Sequence, residues 1–323
     1  MMELHEISFN ESNILLKDNL VKGSILPEKM TELNRTITIN GNSLIEGAVY
    51  AHKLEIQQGD VEIQGAVFTQ AELYINSDAK GSVSFKKSVG SANSIVSRAT
   101  EATLTFYSDI NAQSVTLYNA FVAGSIYADD IILDNCIVIG GVFATQTVEL
   151  SHSIVGTFNT PSIKIAQTVG ILLPSVFSIE RITVIPSTQF YNLCLADLGS
   201  LYKGLPQAEN SGKIEINIET DEIKTTLTNE ETQKILRSYT VIGKVLAADL
   251  IDTGKFQNHF LLTAASLGSQ LLKTYNLGVD EKGEPVALTF DKIRTFFFDI
   301  LHGRIAVQNI SGSFDISQIT GKF

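Results

Sequence analysis

The sequence predicts a mainly β protein, a parallel β-helix (β-solenoid) followed by a mainly helical α+β domain. Between positions 110 and 165 one pattern recurs with a constant 16-residue spacing (126−110, 142−126). Within each repeat, apolar or small residues advance by steps of two, which keep one face of a strand, and of three, which turn a corner. From about residue 189 the periodicity becomes helical. The first two observations predict the solenoid and the third predicts the domain after it.

Each repeat is predicted to be one coil of three short strands, and the coils stack by parallel pairing about 4.8 Å apart. The three clearest repeats read DINAQSVTLYNAFVAG, SIYADDIILDNCIVIG and GVFATQTVELSHSIVG. In the middle repeat the predicted inward residues are Ile126, Ala128, Ile131, Leu133, Cys136 and Val138. An earlier repeat is an 18-residue coil (67−49), because its corner is looser beside Gly59. Residues 86–105 are predicted to form one or two distorted coils.

Three domains are predicted. Residues 1–35 show no repeat and form an amino-terminal cap or arm, residues 36–187 form the solenoid, and residues 188–323 form the mainly helical domain. Proline cannot donate to a strand ladder, so Pro186 marks the end of the solenoid.

Elements of the last domain follow from periodicity and capping signals. Helices are predicted over residues 190–205, 228–252, 258–276 and 289–302, the second beginning with a Thr228–Glu231 capping box. Residues 214–218 alternate isoleucine with polar residues, which predicts a half-buried strand. The tail after Gly303 returns to strand-like alternation.

Composition narrows the function. The net charge of −11 argues against nucleic acid as a partner, because phosphate binding needs a positive surface. The amino end has no basic and apolar leader and no run of about 18 apolar residues exists, so we expect a cytoplasmic chain without a membrane segment. Two cysteines are too few for a disulfide framework, and Cys136 is predicted to be a small core residue.

An apolar ridge is predicted on the outer face of the third strand of each coil. Glu62 faces outward in an early coil, whereas Phe121, Ile137 and Ile154 hold the equivalent slots later. An apolar ridge is seldom left in water. We therefore expect helix faces of the last domain to cover this candidate interaction ridge. The alternative, that the register is displaced by one residue and these three belong to the core, stays open at this stage.

A Gly-x-[Ile/Val]-x-Ala unit recurs in the coils, followed by an apolar strand and a further glycine. The units are Gly47 with Val49 and Ala51, Gly124 with Ile126 and Ala128, and, one residue shorter, Gly141 with Val142 and Ala144. Over residues 37–186 this pattern resembles the bactofilin family of bacterial polymer-forming cytoskeletal proteins. The resemblance implies a right-handed β-helix that stacks end to end into filaments and acts as a scaffold for cell-envelope or morphogenetic proteins.

The residues of known solenoid enzymes are not in place, so no catalytic, cofactor or metal residues are predicted. A three-histidine metal site would have to use His52 and His152, which lie far apart in the sequence. The strict six-residue step of hexapeptide acyltransferases is broken by the 16-residue coils. Asp129 and Asp130 are predicted to form a solvated turn rather than a catalytic pair.

The expected function is therefore a non-enzymatic scaffold that self-associates through the solenoid and presents the last domain to a protein partner. Two alternatives stay open: a discrete, non-polymerising adaptor in which the solenoid is a rigid spacer, and an enzyme with its site in the last domain. Peripheral membrane association is also left open.

Overall fold

A computed structural model shows a parallel β-solenoid of about eight coils, which confirms the predicted fold of this part of the chain. The structure describes residues 2–4, 12–27, 29, 32–171, 181–185, 189–192, 214–217, 222–225, 259–261, 289–302, 304 and 308–309. The chain forms two compact units, the first of Met1–Lys164 with Ile179–Thr183 and the second of Ile165–Ser178 with Val184–Phe323.

The described elements are twenty-four strands and one helix. The first nine strands are β1 (Met2–Leu4), β2 (Asn13–Leu16), β3 (Asn19–Val21), β4 (Thr36–Asn40), β5 (Ser43–Ile45), β6 (Val49–Gln58), β7 (Val61–Ile63), β8 (Val67–Ile75) and β9 (Gly81–Phe85). The next nine are β10 (Val89–Ser91), β11 (Ser94–Ser97), β12 (Ala102–Phe106), β13 (Ile110–Asn111), β14 (Ser114–Tyr118), β15 (Ala120–Val122), β16 (Ile126–Asp134), β17 (Ile137–Asn159) and β18 (Ser162–Ile171). The remaining elements are β19 (Arg181–Val184), β20 (Gln189–Asn192), β21 (Ile214–Asn217), β22 (Glu222–Thr225), β23 (His259–Leu261), α1 (Phe290–Leu301) and β24 (Gln308–Asn309).

Each coil of the first unit contributes one strand segment to each of three faces. Face A contains β10, β13 and the first parts of β6, β8 and β16; face B contains β2, β4, β11 and β14; face C contains β3, β5, β7, β9, β12 and β15. Equivalent residues stack in parallel register, as in Ile110 with Ile126 and Ile126 with Val142. The predicted 16-residue spacing is therefore confirmed in this part of the solenoid.

Inward-facing residues form continuous apolar columns. All six residues predicted to point inward in the middle repeat are buried, from Ile126 at 0% exposed to Ala128 at 9%. Phe85 and Phe106 stack inside with ring centroids 4.9 Å apart. Because each inward side chain contacts its equivalent in the neighbouring coils, the core is contiguous along the whole stack. Burying one such aliphatic side chain stabilises the fold by about 1.5–3 kcal/mol.

Polar side chains connect the corners from coil to coil. Asn119 and Asn135 both have φ of 52°, a left-handed conformation in which asparagine is enriched. The Asn135 side-chain amide donates to Asn119 Oδ1 at 3.1 Å, and the Asn119 amide donates to the Ala102 carbonyl at 2.9 Å. At another corner, a Cβ added to Gly65 would lie 2.3 Å from the Ala48 nitrogen. The recurring glycines therefore allow the backbones of adjacent coils to approach closely.

The parallel ladders begin before residue 36. Strands β2 and β3 pair in parallel with β4 and β5, so residues 13–21 belong to a first coil, although the sequence showed no repeat there. The sequence interval between Ile14 and its partner Ile37 is longer than the equivalent intervals in the coils that follow. The additional residues lie in the connection between Ile25 and Thr36. That longer connection hid the repeat. A cap or arm role for residues 1–35 stays a prediction.

The second unit contains both parallel and antiparallel pairs. Strand β20 pairs in parallel with β18 and β23, β23 pairs antiparallel with β24, and β21 pairs antiparallel with β22. The strand at residues 214–217 and the helix α1 confirm two predicted elements; Thr289 is the N-cap, and its side chain accepts from the Lys292 amide. The Arg304 guanidinium pairs with Asp299 near the end of α1.

Two helix predictions are wrong where the structure describes them. The helix predicted over 190–205 begins in strand β20, and the one predicted over 258–276 begins in strand β23. In both places pairing with a parallel neighbour outweighs a local apolar spacing that a helix could also use. The helix predicted over 228–252 lies outside the described residues, so a mainly helical last domain stays a prediction.

We expect Ile131→Asp to lower the free energy of unfolding by several kcal/mol, because it places a carboxyl group among apolar side chains where Ile131 is 0% exposed. The matched control is Ile132→Asp, one residue further along the same strand and 36% exposed, which should change stability by less than about 1 kcal/mol. Urea unfolding followed by circular dichroism measures both. Equal losses in the two variants would contradict the inward and outward assignment.

Candidate functional site

The three residues of the predicted interaction ridge lie in one column on face C. Glu62 pairs with Ser84, Ser84 with Thr105 and Thr105 with Phe121. Phe121 pairs with Ile137. Ile154 lies one coil further, since its amide donates to the Cys136 carbonyl at 2.9 Å. The register therefore puts Phe121, Ile137 and Ile154 on the side of the strand that Glu62 occupies.

All three ridge side chains are fully buried. Phe121, Ile137 and Ile154 are each 0% exposed, and Ser84 and Thr105 in the same column are 9% and 5% exposed. The segments expected to cover the ridge lie mostly outside the described residues, so its role stays a prediction.

Glu62 marks where the character of this column changes. It accepts from the Gln64 side-chain amide at 2.9 Å and lies 3.3 Å from the Lys86 ammonium. The pKa of Glu62 is lowered, chiefly by the hydrogen bond from Gln64 and also by Lys86. Burial raises this pKa, but by less than the Gln64 hydrogen bond lowers it. The Lys86 ammonium also lies 4.1 Å from the ring centroid of Tyr107. At Glu62 the outer face is thus a partly exposed polar cluster, in contrast to the buried ridge.

The first coil presents a strand edge. Strand β2 pairs with β4 on one side, and no other described strand pairs with it on the other. In a parallel ladder about half of the backbone N–H and C=O groups point to each neighbour. Among the described residues, the backbone groups at the outer edge of β2 therefore have no strand partner, and such an edge can accept a further strand.

An exposed leucine lies on this edge strand. Leu15 is 66% exposed, between the inward Ile14 and Leu16, which are 5% and 1% exposed. The following corner is fixed by hydrogen bonds: the Lys17 amide donates to Asn19 Oδ1 at 2.6 Å, and the Asn42 amide donates to Asp18 Oδ1 at 3.0 Å. An apolar side chain next to an open, rigidly held strand edge is a feature of an association site.

Sequence reasoning did not single out Leu15, because it placed residues 1–35 outside the repeat. A signal was present, since Ile14 and Leu16 are two positions apart and are followed by the turn residues Asp18 and Asn19.

Strand β1 covers another part of the same end of the solenoid. Met2, Glu3 and Leu4 pair in parallel with Asn19, Leu20 and Val21 of β3. The face C segment of the first coil is therefore already paired, whereas no described strand pairs with the outer edge of its face B segment. A further strand at this end cannot pair directly with β3.

The described residues do not assemble a metal site. No group of three histidine, cysteine, aspartate or glutamate side chains among them is placed to hold a metal ion. His52 Nδ1 lies 3.3 Å from Gln70 Oε1 on the surface. His152 occupies a corner with φ of 44°. The carboxylates of Asp129 and Asp130 accept hydrogen bonds from Thr145 and Thr147.

Cys136 is a buried core residue, as predicted. It is 0% exposed, and its Sγ lies 3.3 Å from the Leu117 carbonyl and 3.2 Å from the Asp134 carbonyl. Burial raises the pKa of the Cys136 thiol to about 12. A thiol with such a pKa holds very little of the reactive thiolate near neutral pH. Cys194 lies outside the described residues.

Within the part of the chain that the structure describes, no helix is long and apolar enough to cross a membrane. The fold is that of a parallel β-solenoid protein. Comparisons with protein-family models, curated proteins and solved structures found no match to this chain.

We expect Cys136 to resist alkylation in the folded protein at pH 8 and to react rapidly once the protein is unfolded. Its raised pKa and its burial both suppress the thiolate. A Cys194→Ala background isolates the signal, and mass spectrometry after iodoacetamide treatment measures it. Fast labelling of Cys136 in the native protein would show that this coil opens or that the residue faces solvent.

Proposed function

We propose that this protein is a non-enzymatic structural scaffold, bactofilin-like and right-handed, that self-associates through its solenoid and presents its carboxyl-terminal residues to a partner protein. The observation that carries the proposal is the outer edge of β2, with which no other described strand pairs, beside the exposed Leu15. A scaffold needs rigid units with a repeatable contact. The stacked coils supply the rigidity and the strand edge supplies the contact.

Association at this edge supplies backbone hydrogen-bond partners that the described residues of a single chain do not provide. An added strand supplies partners for the N–H and C=O groups of β2, and it covers the Leu15 side chain at the same time. Two like edges related by a twofold axis pair antiparallel and form a closed dimer. A head-to-tail contact instead joins unlike ends and generates an open filament. Filaments are the state that the bactofilin resemblance implies.

One observation favours the alternative of a discrete adaptor. Strand β1 already pairs with β3, so a strand that adds to β2 contacts face B and does not pair directly with β3. A contact restricted to face B is smaller than a full cross-section, and it favours a closed dimer over a filament. In that case the solenoid serves as a rigid spacer. An enzyme remains the third alternative, and no described residue favours it.

We expect Leu15→Lys to weaken self-association at least tenfold, because it places a charge beside the strand edge and removes the apolar contact. The matched control is Ile132→Lys. Ile132 also faces outward on face B, but its strand is paired on both sides, with β14 and β17. Analytical ultracentrifugation over a concentration series measures the assembly state, and negative-stain electron microscopy distinguishes filaments from closed dimers.

The proposal predicts that wild type and Ile132→Lys assemble alike and that Leu15→Lys dissociates. Filaments support the scaffold, and a closed dimer supports the adaptor. A wild-type protein that stays monomeric at high concentration would contradict self-association altogether.

A further inference from the structure

A groove runs along the outside of face A in the later coils. It has a volume of about 470 Å³, a size typical of sites for small ligands or single side chains. One wall is a column with the same 16-residue spacing (127−111, 143−127, 159−143), and Ala128 and Ala144 pair at the floor. The wall residues are Asn111, Tyr127, Phe143 and Asn159. The groove spans three coil spacings, about 14 Å, which an extended segment of about four residues would cover.

Two aromatic rings dominate this wall. Tyr127 and Phe143 pair in register and stack with ring centroids 5.1 Å apart and planes 15° apart. Tyr127 is 43% exposed, which is unusual for so large a side chain in this solenoid. The Phe143 ring lies against the backbone at Gly141, where an added Cβ would come within 2.3 Å of it. The ring is thus held in place before any ligand arrives.

A carboxylate also lines the groove. Asp129 lines the groove beside Thr145, whose hydroxyl donates to Asp129 Oδ1. Among the described residues, Asp129 Oδ2 has no hydrogen-bond partner. One oxygen is therefore fixed by the protein while the other remains available to a ligand.

The surroundings of the groove are strongly acidic. Residues 12–98 contain nine Lys and Arg and nine Asp and Glu, whereas residues 99–163 contain six Asp and Glu and no Lys or Arg. Two of those six are paired with lysines from outside the segment, Glu101 with Lys80 and Glu149 with Lys164. The groove lies wholly within this acidic segment, so it attracts cations and repels polyanions.

Two other outward aromatic rings of the solenoid are paired with the protein's own lysines. Lys53 lies 5.6 Å from the ring centroid of Tyr74, and Lys86 lies 4.1 Å from that of Tyr107. No Lys or Arg of the described residues lies over Tyr127 or Phe143. Among the described residues, the groove therefore combines an exposed aromatic pair and a carboxylate with one bonded oxygen, and no lysine or arginine lies over the rings.

We propose that this groove binds a basic side chain, preferentially arginine, on an extended segment of a partner protein. A guanidinium group stacks on aromatic rings and donates to a carboxylate at the same time, which matches Tyr127 and Asp129. The amides of Asn111 and Asn159 provide donors and acceptors for the backbone of the segment. The inference goes beyond the scaffold proposal, because binding does not require the solenoid to self-associate.

Fluorescence anisotropy with a dye-labelled tetra-arginine peptide tests the proposal on the full chain. Wild type and Leu15→Lys should bind it equally, since Leu15 is remote from the groove in the sequence of coils. Asp129→Asn should weaken binding about tenfold by removing a charged acceptor. Tyr127→Leu should weaken it about threefold by removing the ring while keeping an apolar side chain. A tetraglutamine peptide should not bind.

Matched controls separate a defined site from a diffuse negative field. Asp134→Asn removes a charge from the same acidic segment but outside the groove, and Tyr50→Leu removes an outward aromatic residue from the charge-balanced part of face A. Both should retain the wild-type dissociation constant within twofold. Equal effects of Asp134→Asn and Asp129→Asn would overturn the proposed site. If free arginine or spermidine displaced the peptide at an equal concentration of cationic groups, the groove would not be specific for a peptide segment, and this part of the proposal would be wrong.

Discussion

Backbone hydrogen bonds between successive coils are the constraint on which this structure depends. A strand in a parallel stack satisfies its N–H and C=O groups only through the coils before and after it, because each strand of the solenoid lies beside its equivalents. In-register pairing then forces equivalent side chains to stack. This is why inward positions such as Ile110, Ile126 and Val142 form one apolar column. It is also why strand β2, which among the described strands has a neighbour on one side, could pair with a further strand on its outer side.

The same constraint arranges outward residues in columns along the stack. The chemical character of the surface therefore changes along a column when the residue type changes from coil to coil. On face C the column passes from the polar cluster at Glu62 to the buried ridge at Phe121, Ile137 and Ile154. On face A it places Tyr127 directly beside Phe143, so the two rings stack. In a solenoid the outward residues of a column can therefore change while the apolar core stays the same.

The solenoid could be predicted from sequence where coils have nearly constant length. The 16-residue spacing determined both the register and the inward residues, because a parallel stack without insertions repeats its apolar positions. The first coil escaped notice since the chain between Ile25 and Thr36 is longer. The sequence at strands β20 and β23 predicts helix starts because its apolar spacing also suits a helix, and the strand pairing cannot be deduced from the local sequence. The groove could not be predicted without the strand register, which brings Tyr127, Phe143 and Asp129 together. The absence of Lys and Arg between Arg98 and Lys164 is visible in the sequence.

The central claim is that copies of this chain pair through the outer edge of β2. Hydrogen–deuterium exchange of the backbone amides of Asn13–Leu16, followed by mass spectrometry over a range of protein concentrations, tests it most directly. If the edge is the contact, these amides become protected as the protein assembles, while the amides of β14, which is paired on both sides, stay equally protected throughout. Assembly with unchanged exchange in Asn13–Leu16 would contradict the account and place the contact elsewhere.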